Sequence, residues 1–385
     1  MPINILICDL VGLGFDAKGI ADPSEVKAHI EAQGGKFHRG GMPRTDADAG
    51  LEFYYYPDIS TYDEILALSG QGQFDAVIAA ATIIPAEAKF RMGGVRIGAG
   101  TGNMGSASWG GPNGFGGAAP LMNTPGFNAQ ATAQMTMKAL LHFRPNLPFE
   151  VLHRRIVEGT FDTGKNLRDF PTAKLGGQTI AIVGYGNIGH EVAKLAAAFG
   201  MKVHVAARKT HHARISADGF TAFENAIGAA QSTDVISIHT GLGKLDSASG
   251  RFDNQDLISS QILSVVNTGA TVLNFDRGEC LDVHALDSAM ASGQVANAAI
   301  DADIFKATDG KLSGPMVPYL PLAQKYGARI LLLPHAAADT DHPSRVAGAK
   351  QAVDQIIDAI RNKRVTNLRG DLPPGYMNAG VKLGI

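Results

Sequence analysis

The sequence predicts an α/β protein built on doubly wound parallel sheets. Three observations predict it. Short apolar runs of strand length alternate with stretches of helical periodicity, and parallel strands need such crossover helices. A glycine cluster, GYGNIG at residues 184–189, stands between the apolar run TIAIV and an amphipathic stretch, as in a strand–turn–helix nucleotide-binding unit. The chain has 385 residues, 45% hydrophobic and 18% charged, which is enough apolar material for the cores of two or three domains.

The elements follow in order. Residues 3–10 are an apolar run that suits a buried strand. Residues 25–32 read as a helix that Gly34-Gly35 ends. Residues 75–80 and 95–99 are further buried strands, the second running into the turn GAGTGN. Residues 105–120 are rich in glycine, with two prolines, and exclude regular structure. This segment, with six glycines at 105, 110, 111, 114, 116 and 117, is either a surface loop or a lid whose Trp109 and Phe115 cover a pocket. Residues 128–142, rich in Ala, Met and Leu, read as a buried helix; residues 145–172 read as irregular. After TIAIV, Ile188, Val192, Leu195, Ala196 and Phe199 recur on one helical face that Gly200 ends. Strands follow at 202–206, 234–239, 271–275, 297–301 and 329–333. Between two of them, residues 282–292 form a helix with Asp282 as N-cap and Gly293 just past its end. The last helix starts near Pro343, and Val346, Ala349, Val353, Ile356, Ile357 and Ile360 make its apolar face.

Composition excludes several classes. Lys and Arg total 34 against 36 Asp and Glu, a net charge of −2, so the basic excess of nucleic-acid binders and anionic-membrane proteins is missing. No run of about 18 apolar residues predicts a transmembrane helix. The start MPINILICDL lacks a basic n-region and reads as a strand, not a signal peptide. Two cysteines, Cys8 and Cys280, exclude a disulfide framework and fit a cytoplasmic protein. No metal site is expected, because His211-His212 has no companion ligands. Cys280 reads as a packed thiol, and no G-x-S-x-G elbow occurs.

The glycine cluster predicts a dinucleotide. Gly184 permits a tight turn, Gly186 lets backbone approach a pyrophosphate, and Gly189 lets helix and strand pack closely. Tyr185, Asn187 and Ile188 complete the loop, and the helix start offers N–H groups to the phosphates. An NAD site places an acid about 20 residues on, at the end of the second strand, to bind the ribose 2′-hydroxyl. That position here is Ala207, and Arg208 and Lys209 follow. A cationic pair attracts a 2′-phosphate, so NADP(H) is the preferred cofactor and NAD(H) the alternative.

Four further segments carry a resemblance: TVLNFDRGECLDVHAL from Thr271, NTPGFNAQATAQ from Asn123, DVISIH from Asp234 and PHAAADT from Pro334. In this order around GYGNIG, the chain resembles the D-2-hydroxyacid dehydrogenases over residues 95–360, a family that includes phosphoglycerate dehydrogenases and glyoxylate reductases. The resemblance implies a Rossmann cofactor domain, residues 128–345, inserted into a flavodoxin-like substrate domain, residues 1–127 and 346–385, and a homodimer held through the cofactor domain. It implies a 2-oxo or D-2-hydroxy acid as substrate. Arg277 would fork onto the substrate carboxylate and carbonyl, and His335 would be the general acid of reduction. The backbone of Ala99 and Gly100 would bind the substrate carboxylate, while His239 and Asp301 would lie at the cofactor, Asp301 or else Asp303 against the nicotinamide carboxamide.

Departures from the family pattern are informative. The family's histidine-pairing Glu is absent: position 306 is Lys306, and an insertion brings Thr308 to its place, with Asp309 next to it as a displaced partner. Without a carboxylate, His335 holds its proton less well and reduction shifts to acidic conditions. His239-Thr240-Gly241 replaces H-x-P, and Gln134 stands where Glu is usual. The missing Glu motivates an alternative, a non-catalytic dinucleotide sensor or corepressor-like protein. The long Gly-rich segment and Lys306 motivate another, a dehydrogenase of a larger atypical substrate.

Overall fold

A computed structural model describes the chain apart from Leu10, Leu13, residues 44–48, Ser60, Gln71, residues 144–147, Ser247, residues 307–308, residues 336–340 and Ile385. The chain forms two compact units, residues 1–131 with 338–385, and residues 132–337.

The first unit carries strands β1 (Ile3–Cys8), β2 (Gly35–Arg39), β3 (Leu51–Tyr56), β4 (Ala76–Ala79), β5 (Gly93–Arg96) and β6 (Leu121–Asn123). They pair in parallel in the order 2-3-1-4-5-6, and Leu368–Arg369 adds antiparallel to β6. The order turns at β1. Directly after it, Asp9 sits at φ +66 and its carboxylate accepts from the N–H groups of Ala80, Ala81 and Thr82 at 2.7, 3.1 and 3.0 Å. Leu10, the end of the expected first strand, lies outside the described residues. Helices α1 (Ser24–Ala32) and α2 (Tyr62–Ser69) belong to this unit, α2 beginning with a Thr61/Glu64 capping box.

Trp109 of the Gly-rich segment belongs to the core of this unit. Trp109 is fully buried, stacks on Phe90 at 6.0 Å and donates its indole N–H to the Met104 carbonyl at 2.6 Å. A Cβ on Gly94 would stand 2.7 Å from the indole, so glycine makes the room. Phe115, by contrast, is exposed.

The second unit carries β7 (Thr179–Val183), β8 (Lys202–Ala206), β9 (Thr221–Phe223), β10 (Val235–Ile238), β11 (Ala270–Asn274), β12 (Val295–Ala302) and β13 (Ile330–Pro334). All pair in parallel in the order 9-8-7-10-11-12-13, which turns between β7 and β10. A separate hydrophobic cluster covers each face, as buried parallel strands require. Helices α3 (Ala129–Phe143), α4 (Phe149–Val157), α5 (Asn187–Ala198), α6 (His212–Ala217) and α7 (Val283–Ser292) surround it, α3 beginning three residues before the unit does. Two differences from the sequence reading stand out. α5 buries Gly189, Val192, Ala193 and Ala196 and leaves Phe199 exposed, because its small residues set the close approach to the sheet. α4 lies in the stretch expected to be irregular, and none of its residues is buried.

The chain returns through α8 (His342–Asn362), capped by Asp341 accepting from the Ser344 N–H at 3.1 Å. Its predicted apolar face is buried throughout, from Val346 to Ile360. The fold is therefore two doubly wound parallel-sheet units, the second with Rossmann strand order and placed in sequence inside the first. No described helix is long and apolar enough to cross a membrane.

Candidate active site

The glycine loop lies at the switch point between β7 and β10, where ligands bind open parallel sheets. Gly184 leaves β7 at φ +102, and a Cβ on it would collide with the His239 carbonyl oxygen. A Cβ on Gly189 would stand 3.1 Å from the Gly184 carbonyl carbon and closer still to its oxygen. Gly186 differs: its φ of −80° suits any residue, and a Cβ would meet no atom within 4 Å. The space beside it is open, and no side chain caps the first turn of α5, whose N–H groups are left to a ligand. His239 is buried at the rim. Its Nε2 lies 2.7 Å from Ser237 Oγ, and its Nδ1 has no partner among the described residues. Burial pushes its pKa down to about 3, so it stays a neutral imidazole. An open glycine edge, uncapped N–H groups and a buried unsatisfied nitrogen fit a dinucleotide pyrophosphate and its neighbouring groups.

Two loop residues sit differently. Asn187 is exposed and Ile188 half-buried at the start of α5, as a cradle allows. The Tyr185 side chain, however, turns away: it is buried, and its hydroxyl donates to Asp218 Oδ2 at 2.7 Å, leaving only its backbone for the cradle. Beyond β8, Arg208 and Lys209 are exposed and make no ion pair among the described residues. The His212 ring, 3.0 Å from the Ala207 carbonyl, holds that turn.

Strand register builds the second cluster. Asn274 of β11 pairs with Ile300 of β12, so Arg277 and Asp303, each three residues on, fall side by side. Their side chains bridge at 3.4 Å. Ala302 pairs with Pro334 of β13, which sets His335 next in the row, its N–H donating to the Ala302 carbonyl at 3.2 Å. His335 Nδ1 stands 3.9 Å from Oδ2 of Asp301, which is 1% exposed against 23% for the histidine. Among the described contacts none joins Asp309 to His335. Asp309 sits in the turn of the hairpin Phe305–Lys306 and Leu312–Ser313, exposed, and its carboxylate accepts from the Lys311 N–H at 2.9 Å because the short turn closes on itself. Thr308, at the family's Glu position, lies outside the described residues, as do residues 336–340 of the PHAAADT motif. Burial pushes the Asp276 carboxyl up to about 6 against the lowering effect of Arg277. Cys280 is buried, and burial pushes its thiol up to about 12, which keeps it protonated.

Residues 146–337, nearly the whole second unit, match the family described as D-isomer specific 2-hydroxyacid dehydrogenase, NAD binding domain. Through this unit the chain belongs to the D-2-hydroxyacid dehydrogenase family. Among the relatives of this chain, a glyoxylate reductase of Aeropyrum pernix is 27% identical over 273 residues, covering 68% of this chain and 70% of that one. A D-3-phosphoglycerate dehydrogenase of Bacillus subtilis is 29% identical over 195 residues, covering 50% of this chain and 34% of that one. The chain thus spans about a third of the second relative's length. A glyoxylate reductase structure from Paecilomyes thermophila shares the fold, with a TM-score of 0.65 at 19% identity over 96% of this chain and 98% of that one.

In the first unit, Ala99 and Gly100 follow β5. Asn123 Nδ2 donates to the Ala99 carbonyl at 2.5 Å, while the N–H groups of Ala99 and Gly100 have no partner among the described residues. The turn is pinned by its carbonyl and offers its donors. Among the described residues no group of three or more His, Cys, Asp or Glu is placed to hold a metal. Two site residues went unread in the sequence. Ser237 is signalled only by its i, i+2 spacing to His239 on one strand face. Asp218, the partner of Tyr185, has no local signal.

Proposed function

We propose that this enzyme is an NADPH-preferring reductase of a small 2-oxo acid, yielding the D-2-hydroxy acid. The observation that carries the reading is the register that sets Arg277 and His335 in one row, with buried Asp301 behind the histidine. Arg277 forks onto the substrate carboxylate and carbonyl oxygen, since its planar donors match two oxygens and its charge never titrates off. Asp303 holds the guanidinium in place until substrate arrives. His335 gives its proton to the oxygen that gains charge at substrate C2, and takes one back in oxidation. Asp301 supports the imidazolium, the role the family gives to Glu. A dinucleotide held at the glycine loop would supply the hydride for substrate C2. Gly184, Gly186 and Gly189 cradle the pyrophosphate, His239 bonds to the cofactor through its free nitrogen, and Arg208 and Lys209 bind the 2′-phosphate, with no carboxylate at Ala207 to repel it.

The protein is further proposed to be a cytoplasmic homodimer. α4 supports pairing: Phe149, Ile156 and Val157 are exposed on it, with Glu150 in its first turn and Arg154 in its last, so two copies in antiparallel array are complementary.

The test is His335→Asn. Turnover of a 2-oxo acid falls by about 10²- to 10⁴-fold, while NADPH binds with unchanged affinity. Turnover within threefold of the parent overturns the assignment of His335.

A further inference from the structure

We infer that Tyr185 is a positioning residue that couples the two ends of the cofactor site, so that the choice of NADPH over NADH depends on its bond to Asp218. This rests on the NADPH reading proposed above.

Tyr185 stands between Gly184 and Gly186, where a side chain either covers the cradle or folds behind it. It folds behind. The ring packs edge-on against His190 at 5.4 Å and Phe220 at 6.4 Å, with the Arg214 guanidinium 5.6 Å from its centre. A buried phenol needs a partner, and Tyr185 finds the C-cap of α6, donating to Asp218 Oδ2 at 2.7 Å. The same oxygen lies 3.5 Å from His190 Nε2 and 3.8 Å from Arg214 Nε. Burial, then the Asp218 carboxylate, push the phenol above its ordinary value, so it remains a donor at any working pH.

The consequence follows from what each element carries. Tyr185 belongs to the glycine loop and His190 to the first turn of α5, the two parts that would hold the pyrophosphate. Arg214 and Asp218 belong to α6 and its cap, and α6 begins at His212, directly after the Arg208–His211 turn. That turn is stiff: the His211 N–H donates to the Arg208 carbonyl at 2.8 Å, and His212 bonds Ala207. Ile215 of α6 is fully buried in the cluster that also holds Tyr185. A shift of α6 against the loop therefore carries Arg208 and Lys209 with it. The distance from pyrophosphate to 2′-phosphate is fixed by the covalent structure of the cofactor. NADPH needs cradle and cations in register at once, whereas NADH needs the cradle alone. Loosening the bond removes preorganisation that NADPH alone uses.

Calorimetric titration of the full chain with NADPH and NADH tests this, with melting temperatures alongside. Tyr185→Phe, which keeps the ring, and Asp218→Ala each weaken NADPH about tenfold and NADH less than about threefold, the scale of one charge-assisted hydrogen bond. Asp218→Asn, which keeps an acceptor for the phenol, restores the parent's NADPH to NADH ratio within about threefold. A parent that prefers NADPH while Tyr185→Phe keeps its ratio overturns the coupling alone. A parent that binds both cofactors equally overturns the NADPH reading and the coupling with it. If Asp218→Ala fails to fold, Tyr185→Phe and Asp218→Asn decide the matter.

Discussion

Replacing Gly186 and Gly189 separately by alanine separates folding from cofactor binding within one loop. At Gly189 the added methyl meets backbone, 3.1 Å from the Gly184 carbonyl carbon and nearer its oxygen, and no flexible side-chain end is there to yield. Overpacking of this kind costs about 1–3 kcal/mol. In a unit of about 200 residues that lowers Tm by roughly 2–12 °C. At Gly186 the methyl meets nothing, and φ of −80° is open to alanine, so stability holds or rises by about 0.4–1 kcal/mol. The methyl nevertheless fills the space where a pyrophosphate oxygen would approach backbone. The same overpacking scale, placed on the ligand, raises Kd about 10- to 100-fold. Thermal melting and calorimetric titration with NADPH read both effects. Gly186→Ala with parental stability and parental affinity would refute the cradle.

Further outcomes follow from the same geometry. Asp301→Asn lowers kcat about 10- to 100-fold and moves the alkaline limb of the reduction profile to lower pH, because the imidazolium loses its carboxylate; Asp309→Asn moves neither, as a pH–rate series shows. Asp276 titrates near 6 beside Arg277, so KM for an anionic 2-oxo acid rises as pH passes about 6, and Asp276→Asn flattens that step. Because its folded pKa lies above 3.8, its contribution to stability is full below about pH 4 and is lost as pH rises through about 6; the parent's Tm should fall over that window relative to Asp276→Asn. Trp109→Phe loses the indole bond and ring volume and costs about 2 kcal/mol, read as a lower Tm, with kcat within twofold of the parent; a large fall in kcat would restore the lid.

The second sheet was largely legible because its strands are unbroken apolar runs set off by glycines and a capping Asp282. Residues 35–74 were not. β3 hides a charge, Glu52, at 1% exposure, which breaks the apolar run and is balanced by Lys36 at 3.1 Å and His38 at 2.6 Å from β2. α4 was unreadable for the opposite reason: it buries nothing in its own unit. At the site, motifs located Arg277, His335 and the three glycines. The carboxylate beside His335 could not be found by counting toward the missing Glu, because it depends on the pairing of β12 with β13. The direction of Tyr185 depends on Asp218, 33 residues away.

Initial rates of NADPH and NADH oxidation with 2-oxo acids from glyoxylate to phenylpyruvate test the central claim most directly. The account predicts turnover of at least one acid, with NADPH well above NADH. Tight binding of either cofactor without turnover of any acid would contradict it and point to a sensor on a dehydrogenase fold.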